Sequence, residues 1–324
     1  MIRRNFRFFL ACVGLSVASL ASAQEPTFLL QWGEYGTGPG QITAPRGVTV
    51  GANGVVYIVD GNPYRVVQFT SSGIYVRQWG LHGSGPGEFE APLGIAAGPS
   101  GDIFVVDYGN HRIQRFTGTG TYVAQFGSDG SGPGQLHLPT YIAVDATGAS
   151  YVTDTGNARI VKFTPAGTFA AAWGLSGPAP GHQPNLLGIA LSQDGAVYVA
   201  DGYFDRIQKF TTTGQFLLEW GVSGTDTSGF DIVHGLAVDS RGYVYAVDQG
   251  NDRVQVFSST GNFLTQWGNT TASGWHLVGA TTIALSPSEE IYVADTGGAN
   301  MLKFGQLPTP TTRGSWGRLK SLFR

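Results

Sequence analysis

Six aromatic residues, Trp32, Trp79, Phe126, Trp173, Trp220 and Trp267, stand 47 residues apart without exception. The same interval separates Asp60, Asp107, Asp154, Asp201, Asp248 and Asp295, and again Phe69, Phe116, Phe163, Phe210, Phe257 and Phe304. A chain with such a period builds one supersecondary unit repeatedly and buries each copy against its neighbours. Six copies fill 27–308 with no insertion. The period comes before any motif, because a cluster that recurs six times is more often architecture than chemistry.

Within a unit the apolar pattern has period two. Runs such as "GIAA", "IFVVD", "RIQRF" and "TYVAQFG" are rich in Val, Ile, Tyr and Phe. Turn sequences such as "GPSGD", "YGNH", "TGTG" and "GLHGSGPG" part them, consistent with 49 glycines in the chain. Four short strands in each unit make one blade of a propeller, and no helical face of useful length occurs. The chain enters with a fourth-strand sequence, "TFLLQWG", and leaves with "TTIALS", "EIYVADT" and "NMLKFG", which supply strands one to three only. The expected fold is therefore all-β: a six-bladed β-propeller of four-stranded antiparallel blades, its ring closed by the N-terminal strand so that no blade is left incomplete.

The unit P-x-G-[IV]-A…G-x-[IV]-[YF]-V-x-D-x-x-N-x-R-[IV]-x-x-F…G…[WF]-G resembles the NHL repeat, in particular that of exported bacterial proteins. It recurs as "YIVDGNPYRVVQF", "FVVDYGNHRIQRF", "YVTDTGNARIVKF", "YVADGYFDRIQKF", "YAVDQGNDRVQVF" and "YVADTGGANMLKF". This resemblance implies the propeller but not a single function, since a fold hosts many. The peptide-amidating lyases resemble NHL propellers and hold zinc with histidines where first strands begin. Here only His234 occupies that phase, beside Arg46, Leu93, Thr140, Leu187 and Thr281. One imidazole does not make such a site. NHL domains of tripartite-motif proteins bind RNA, but the charge of this chain speaks against carrying that over.

Outside the repeat, residues 1–23 read as a signal peptide: Arg3, Arg4 and Arg7, an apolar stretch from Phe8 to Leu20, then Ala21-Ser22-Ala23 before a cut at Gln24. Cys12, the one cysteine, lies within it, so neither disulfides nor thiol chemistry are expected beyond it. Residues 24–308 form the propeller, and 309–324 a Pro/Thr spacer and basic tail. The body carries 12 basic against 22 acidic residues, a net charge of −10. Nucleic acid and anionic lipid are thereby excluded as partners of the body. No second apolar run is long enough to span a bilayer. The expected location is periplasmic, secreted or at the cell surface. Trp316, Leu319 and Phe323, interleaved with Arg318, Lys320 and Arg324, make the tail a candidate for surface attachment.

Each repeated aspartate ends a second strand and is expected to accept turn amides and pair with the arginine five residues on: Arg65, Arg112, Arg159, Arg206 and Arg253, with Asn300 in the sixth unit. No catalytic residue, metal ligand or cofactor is assigned. The loops "GTGPGQ", "GSGPGEF" and "GSGPGQL" precede no helix and lack the Lys-Ser/Thr of a phosphate cradle. The candidate binding residues are Tyr64, Tyr108, His111, Tyr203 and Phe204 in the turns between second and third strands, Trp275 in an inter-blade loop, and His234 at the channel mouth. They define a loop face, lopsided towards units four to six, suited to a protein, peptide or glycan. The functional expectation is a binding scaffold. The alternatives are a propeller enzyme, a lyase or lactonase-like hydrolase with a channel metal, and a passive envelope or matrix component.

Overall fold

The computed structural model describes residues 25–174, 184–268 and 275–308. Six four-stranded antiparallel sheets stand around a central axis, joined in sequence order. Blade 1 spans 45–79, blade 2 92–126, blade 3 139–174, blade 4 186–220 and blade 5 233–267. Blade 6 joins 280–304 to the N-terminal strand Phe28–Trp32. That strand pairs antiparallel with Asn300–Phe304, Trp32 opposite Met301 and Phe28 opposite Phe304. The closure expected from the two chain ends is what the structure has. The signal peptide and the basic tail read from the sequence lie outside the described residues. Among the described residues no helix is long and apolar enough to cross a membrane.

First strands ring the axis and fourth strands form the rim. Second and third strands are sealed on both faces, so they read as near-continuous apolar runs; Val56–Asp60 and Ile103–Asp107 are buried throughout. The core therefore lies between blades. Trp79 packs edge-on against Tyr57 in its own blade and leans on Phe116 of the next, with ring centroids 6.2 and 6.0 Å apart. The pairs recur as Trp32 with Tyr292 and Phe69, and Trp220 with Tyr198 and Phe257.

Around the axis the first strands come close enough to demand glycine. A Cβ on Gly94 would stand 2.6 Å from Tyr141 Cα, and one on Gly188 2.3 Å from the His234 carbonyl oxygen. Gly47, Gly94, Gly188 and Gly235 share one phase, but blades 3 and 6 carry Tyr141 and Thr282 there. Just below, Val48, Ile95, Ile142, Ile189, Leu236 and Ile283 leave only a cavity of about 50 Å³.

Candidate functional site

Every aspartate at the end of a second strand is buried, and in blades 1 to 5 its carboxylate does two jobs. One oxygen takes the guanidinium five residues on: Arg65 to Asp60 at 3.0 Å, Arg112 to Asp107 at 2.8 Å, Arg159 to Asp154 at 2.7 Å, Arg206 to Asp201 at 3.2 Å and Arg253 to Asp248 at 2.7 Å. The other oxygen accepts backbone amides of the loop entering the same blade, from Ala44, Glu90, His137, Asn185, Asp231 and Val278. The arginine continues into that loop: Arg112 also donates to the carbonyls of Ser84, Gly85 and Glu88 at 2.8–3.0 Å. These groups hold the loop face in place. Their hydrogen-bonding capacity is used within the protein.

The residue before each of these arginine positions sits in the left-handed region, with φ between 50° and 67°: Tyr64, His111, Ala158, Asp205, Asp252 and Ala299. That conformation aims the side chain at the next blade's loop. Asp205 accepts the Ile232 amide at 2.8 Å, Asp252 the Gly279 amide at 2.7 Å, and His111 Nδ1 the Leu138 amide at 3.0 Å. A contact 27 residues ahead thus recurs at blade junctions and brings together residues of unlike phase. At the first junction Tyr64 stacks obliquely on His82 at 5.3 Å, and His82 Nε2 meets Glu90 at 2.6 Å. At the second, His111 and His137 lie parallel with centroids 5.1 Å apart, and Asp129 Oδ1 is 2.9 Å from His137 Nδ1 and 3.8 Å from His111 Nδ1. The His137 hydrogen bond and both imidazoles hold the Asp129 carboxyl below the usual carboxylate range. At the fourth, Asp205 also accepts from Ser223.

At the axis on this same face, Tyr141 reaches across from blade 3. Its hydroxyl donates to the Arg46 carbonyl at 3.1 Å and lies 3.3 Å from His234 Nδ1, with the two rings edge to face at 5.5 Å. Burial pushes the Tyr141 hydroxyl far above its ordinary range. Burial, helped by the Arg46 charge and opposed by a Thr281 backbone contact, lowers the His234 imidazole to about 4. At neutral pH this is a neutral pair on the axis.

The seven residues expected to form the binding face divide. Tyr203 is 55% exposed and meets Phe204 edge-on at 4.8 Å, while the Arg206 guanidinium lies 5.2 Å over the Phe204 ring. Tyr64, Tyr108 and His111 are partly buried on the same face. His234 stands at the axis, edge to face with Tyr141. Trp275 is a correction: it is 8% exposed and stacks on Phe28 at 5.7 Å and against Phe304 at 4.8 Å. At its phase the earlier units carry Gly40 and Gly134, backed by the fourth-strand rings Tyr75 and Phe169. In blade 6 an indole fills that space over the N-terminal strand. Sequence reasoning did not single out Tyr141, nor did it bring Asp129 and His137 together. Tyr141 carried a signal, an aromatic residue at a glycine phase.

Large apolar side chains exposed on this face are Tyr35, Leu81, Tyr203, Val222, Ile232 and Val278. The others among the described residues are on fourth strands or the turns leading into them: Leu29, Ile74, Val76, Val123, Phe169, Phe216 and Leu217.

A six-bladed propeller with this strand-end Asp–Arg staple belongs to the class of repeat propellers that present their loops at one end of the ring. The family model of the NHL repeat matches residues 89–116, from the loop entering blade 2 to the end of its third strand, and the same pattern recurs at 47-residue intervals in the other blades. No curated protein matches it by sequence. Virginiamycin B lyase from Staphylococcus aureus superposes with a TM-score of 0.57 at 19% identity, over 80% of this chain and 79% of that one. A gluconolactonase from Xanthomonas campestris gives 0.63 at 17%, over 83% and 88%. A chain of the nidogen/laminin complex gives 0.57 at 17%, over 74% and 84%. At these identities the likeness is one of fold.

Proposed function

We propose that the protein is a binding scaffold which takes a protein, peptide or glycan ligand on its loop face, at the junctions of blades 4 to 6. The observation that carries this reading is the exposed apolar group Tyr203, Val222, Ile232 and Val278. Asp205 fixes part of it, holding Ser223 beside Val222 with one oxygen and the Ile232 amide with the other. Exposed aromatic and aliphatic side chains on a stapled surface lose little entropy on binding. Export through the N-terminal segment and attachment through the basic tail belong to the same proposal. The test is a screen of the full chain against peptide and glycan arrays, repeated with Tyr203→Ala/Val222→Ser/Ile232→Ser. A ligand lost in the triple variant at unchanged melting temperature supports the reading. A ligand bound equally by both proteins overturns the location.

A second reading, lyase or lactonase-like catalysis at the channel mouth, is favoured by one observation, the Tyr141–His234 pair on the axis. Turnover of a lactone or cyclic ester panel that vanishes in His234→Ala would establish it in place of the scaffold.

A further inference from the structure

We propose that His111, Asp129 and His137 form a binding site for a first-row transition metal of the zinc type at the junction of blades 2 and 3. One ligand atom from each lies within 4.8 Å of the other two. Two ligands on a tetrahedral zinc, each at about 2.0 Å from the ion, stand about 3.3 Å apart. The separations here, 2.9 Å from Asp129 to His137 and 3.8 Å from Asp129 to His111, bracket that value. Small side-chain shifts therefore close the site. Two imidazoles and a carboxylate select zinc, cobalt or nickel over calcium and magnesium, which take oxygen ligands.

The fold prepares this arrangement. His111 is held in the left-handed conformation (φ 55°) at the end of the turn Tyr108–Asn110, which fixes its ring against the following loop. His137 donates its backbone amide to the buried Asp154 and keeps its ring for Asp129. Asp129 is the exposed member, 64% accessible, and leaves the fourth coordination position to water. The cost is also visible. His111 Nδ1 accepts the Leu138 amide, and metal capture at that atom gives up this bond. The affinity expected is accordingly micromolar, below that of a closed structural zinc site. The neighbouring junction supplies an internal control. Tyr64, His82 and Glu90 occupy equivalent places but offer only one imidazole and one carboxylate.

The experiment is calorimetric titration of the chelator-treated full chain with Zn²⁺ alone, paralleled by Co²⁺ absorption. One equivalent of zinc, with the intense visible bands of tetrahedral cobalt, is expected. Asp129→Asn, an exposed change, and His137→Ala should both abolish binding, and Glu90→Gln should leave it intact. Binding that persists in Asp129→Asn, or no stoichiometric uptake by the unaltered chain, overturns the assignment. Melting curves of each variant without metal separate lost ligation from lost folding. Failure here leaves the loop-face scaffold untouched, because none of the three residues belongs to the blade 4–6 surface.

Discussion

Of the six aspartates that end second strands, five face an arginine across the strand pair and Asp295 faces Asn300. Burial pushes the Asp107 and Asp201 carboxyls upward even beside their guanidinium groups. At Asp295, with no such group and with Asp252 nearby, burial takes it up to about 6. A carboxyl whose folded value exceeds its unfolded one destabilises the fold above about pH 6 and relieves it as pH falls towards 4. His234 works the other way: lowered from 6.5 to about 4, it loses stability over that same descent, as the unfolded chain takes up the proton first. The two slopes oppose each other in the native protein. Asn300→Arg should supply the missing guanidinium and raise stability at pH 7 by about 1–2 kcal/mol. It should also unmask a decline between pH 6.5 and 4 that the native chain hides. Urea titrations at pH 7 and 5 measure both, and a variant whose pH profile matches the native one would show that Asn300 is not what sets Asp295 apart.

At the scale of the element, the turn between second and third strands works with the loop that enters the blade. Arg112→Ala would leave Asp107 buried without its cation and release the carbonyls of Ser84, Gly85 and Glu88. Breaking a buried pair from one side costs about 3–5 kcal/mol. We expect a loss of that size by denaturant unfolding, with faster amide exchange concentrated in residues 83–90; a surface-like loss below about 1 kcal/mol would mean the pair is dispensable. This staple was legible in the sequence because both partners recur at one phase, and so were the blades and the closing strand. Contacts between unlike phases were not. His111 and His137 belong to different places in the repeat and meet only because a left-handed turn residue addresses the loop 27 positions ahead. That offset becomes visible only once Asp205 with Ile232 and Asp252 with Gly279 display it. Trp275 was misplaced for a related reason. Its place in an inter-blade loop suggested exposure, whereas the space above Phe28 takes up the indole.

For the whole molecule the question is what holds a ring shut when one blade is made from both ends of the chain. Blades 1 to 5 keep their fourth strands by covalent continuity, but Phe28–Trp32 meets blade 6 through hydrogen bonds and packing alone. The Gly305 amide donates to Thr27 at 2.8 Å, and Phe28 is set between Trp275 and Phe304. Trp275 therefore supplies at the closure the packing that a connecting turn does not. Trp275→Ala should cost about 3–5 kcal/mol, the range for deleting a buried aromatic side chain. Its effect should be local first: amides of residues 28–32 and 300–304 should exchange faster than those of blades 2 to 4 well below the melting temperature. Opening there bares a strand edge, so the variant should also aggregate more readily on heating. A control in a continuous blade, Phe89→Ala, removes another fully buried ring but leaves its fourth strand tethered. Its loss should appear without selective exchange at the closing strand. Equal exchange patterns in the two variants would mean that the ring opens as one cooperative unit and that the indole has no special part in its closure.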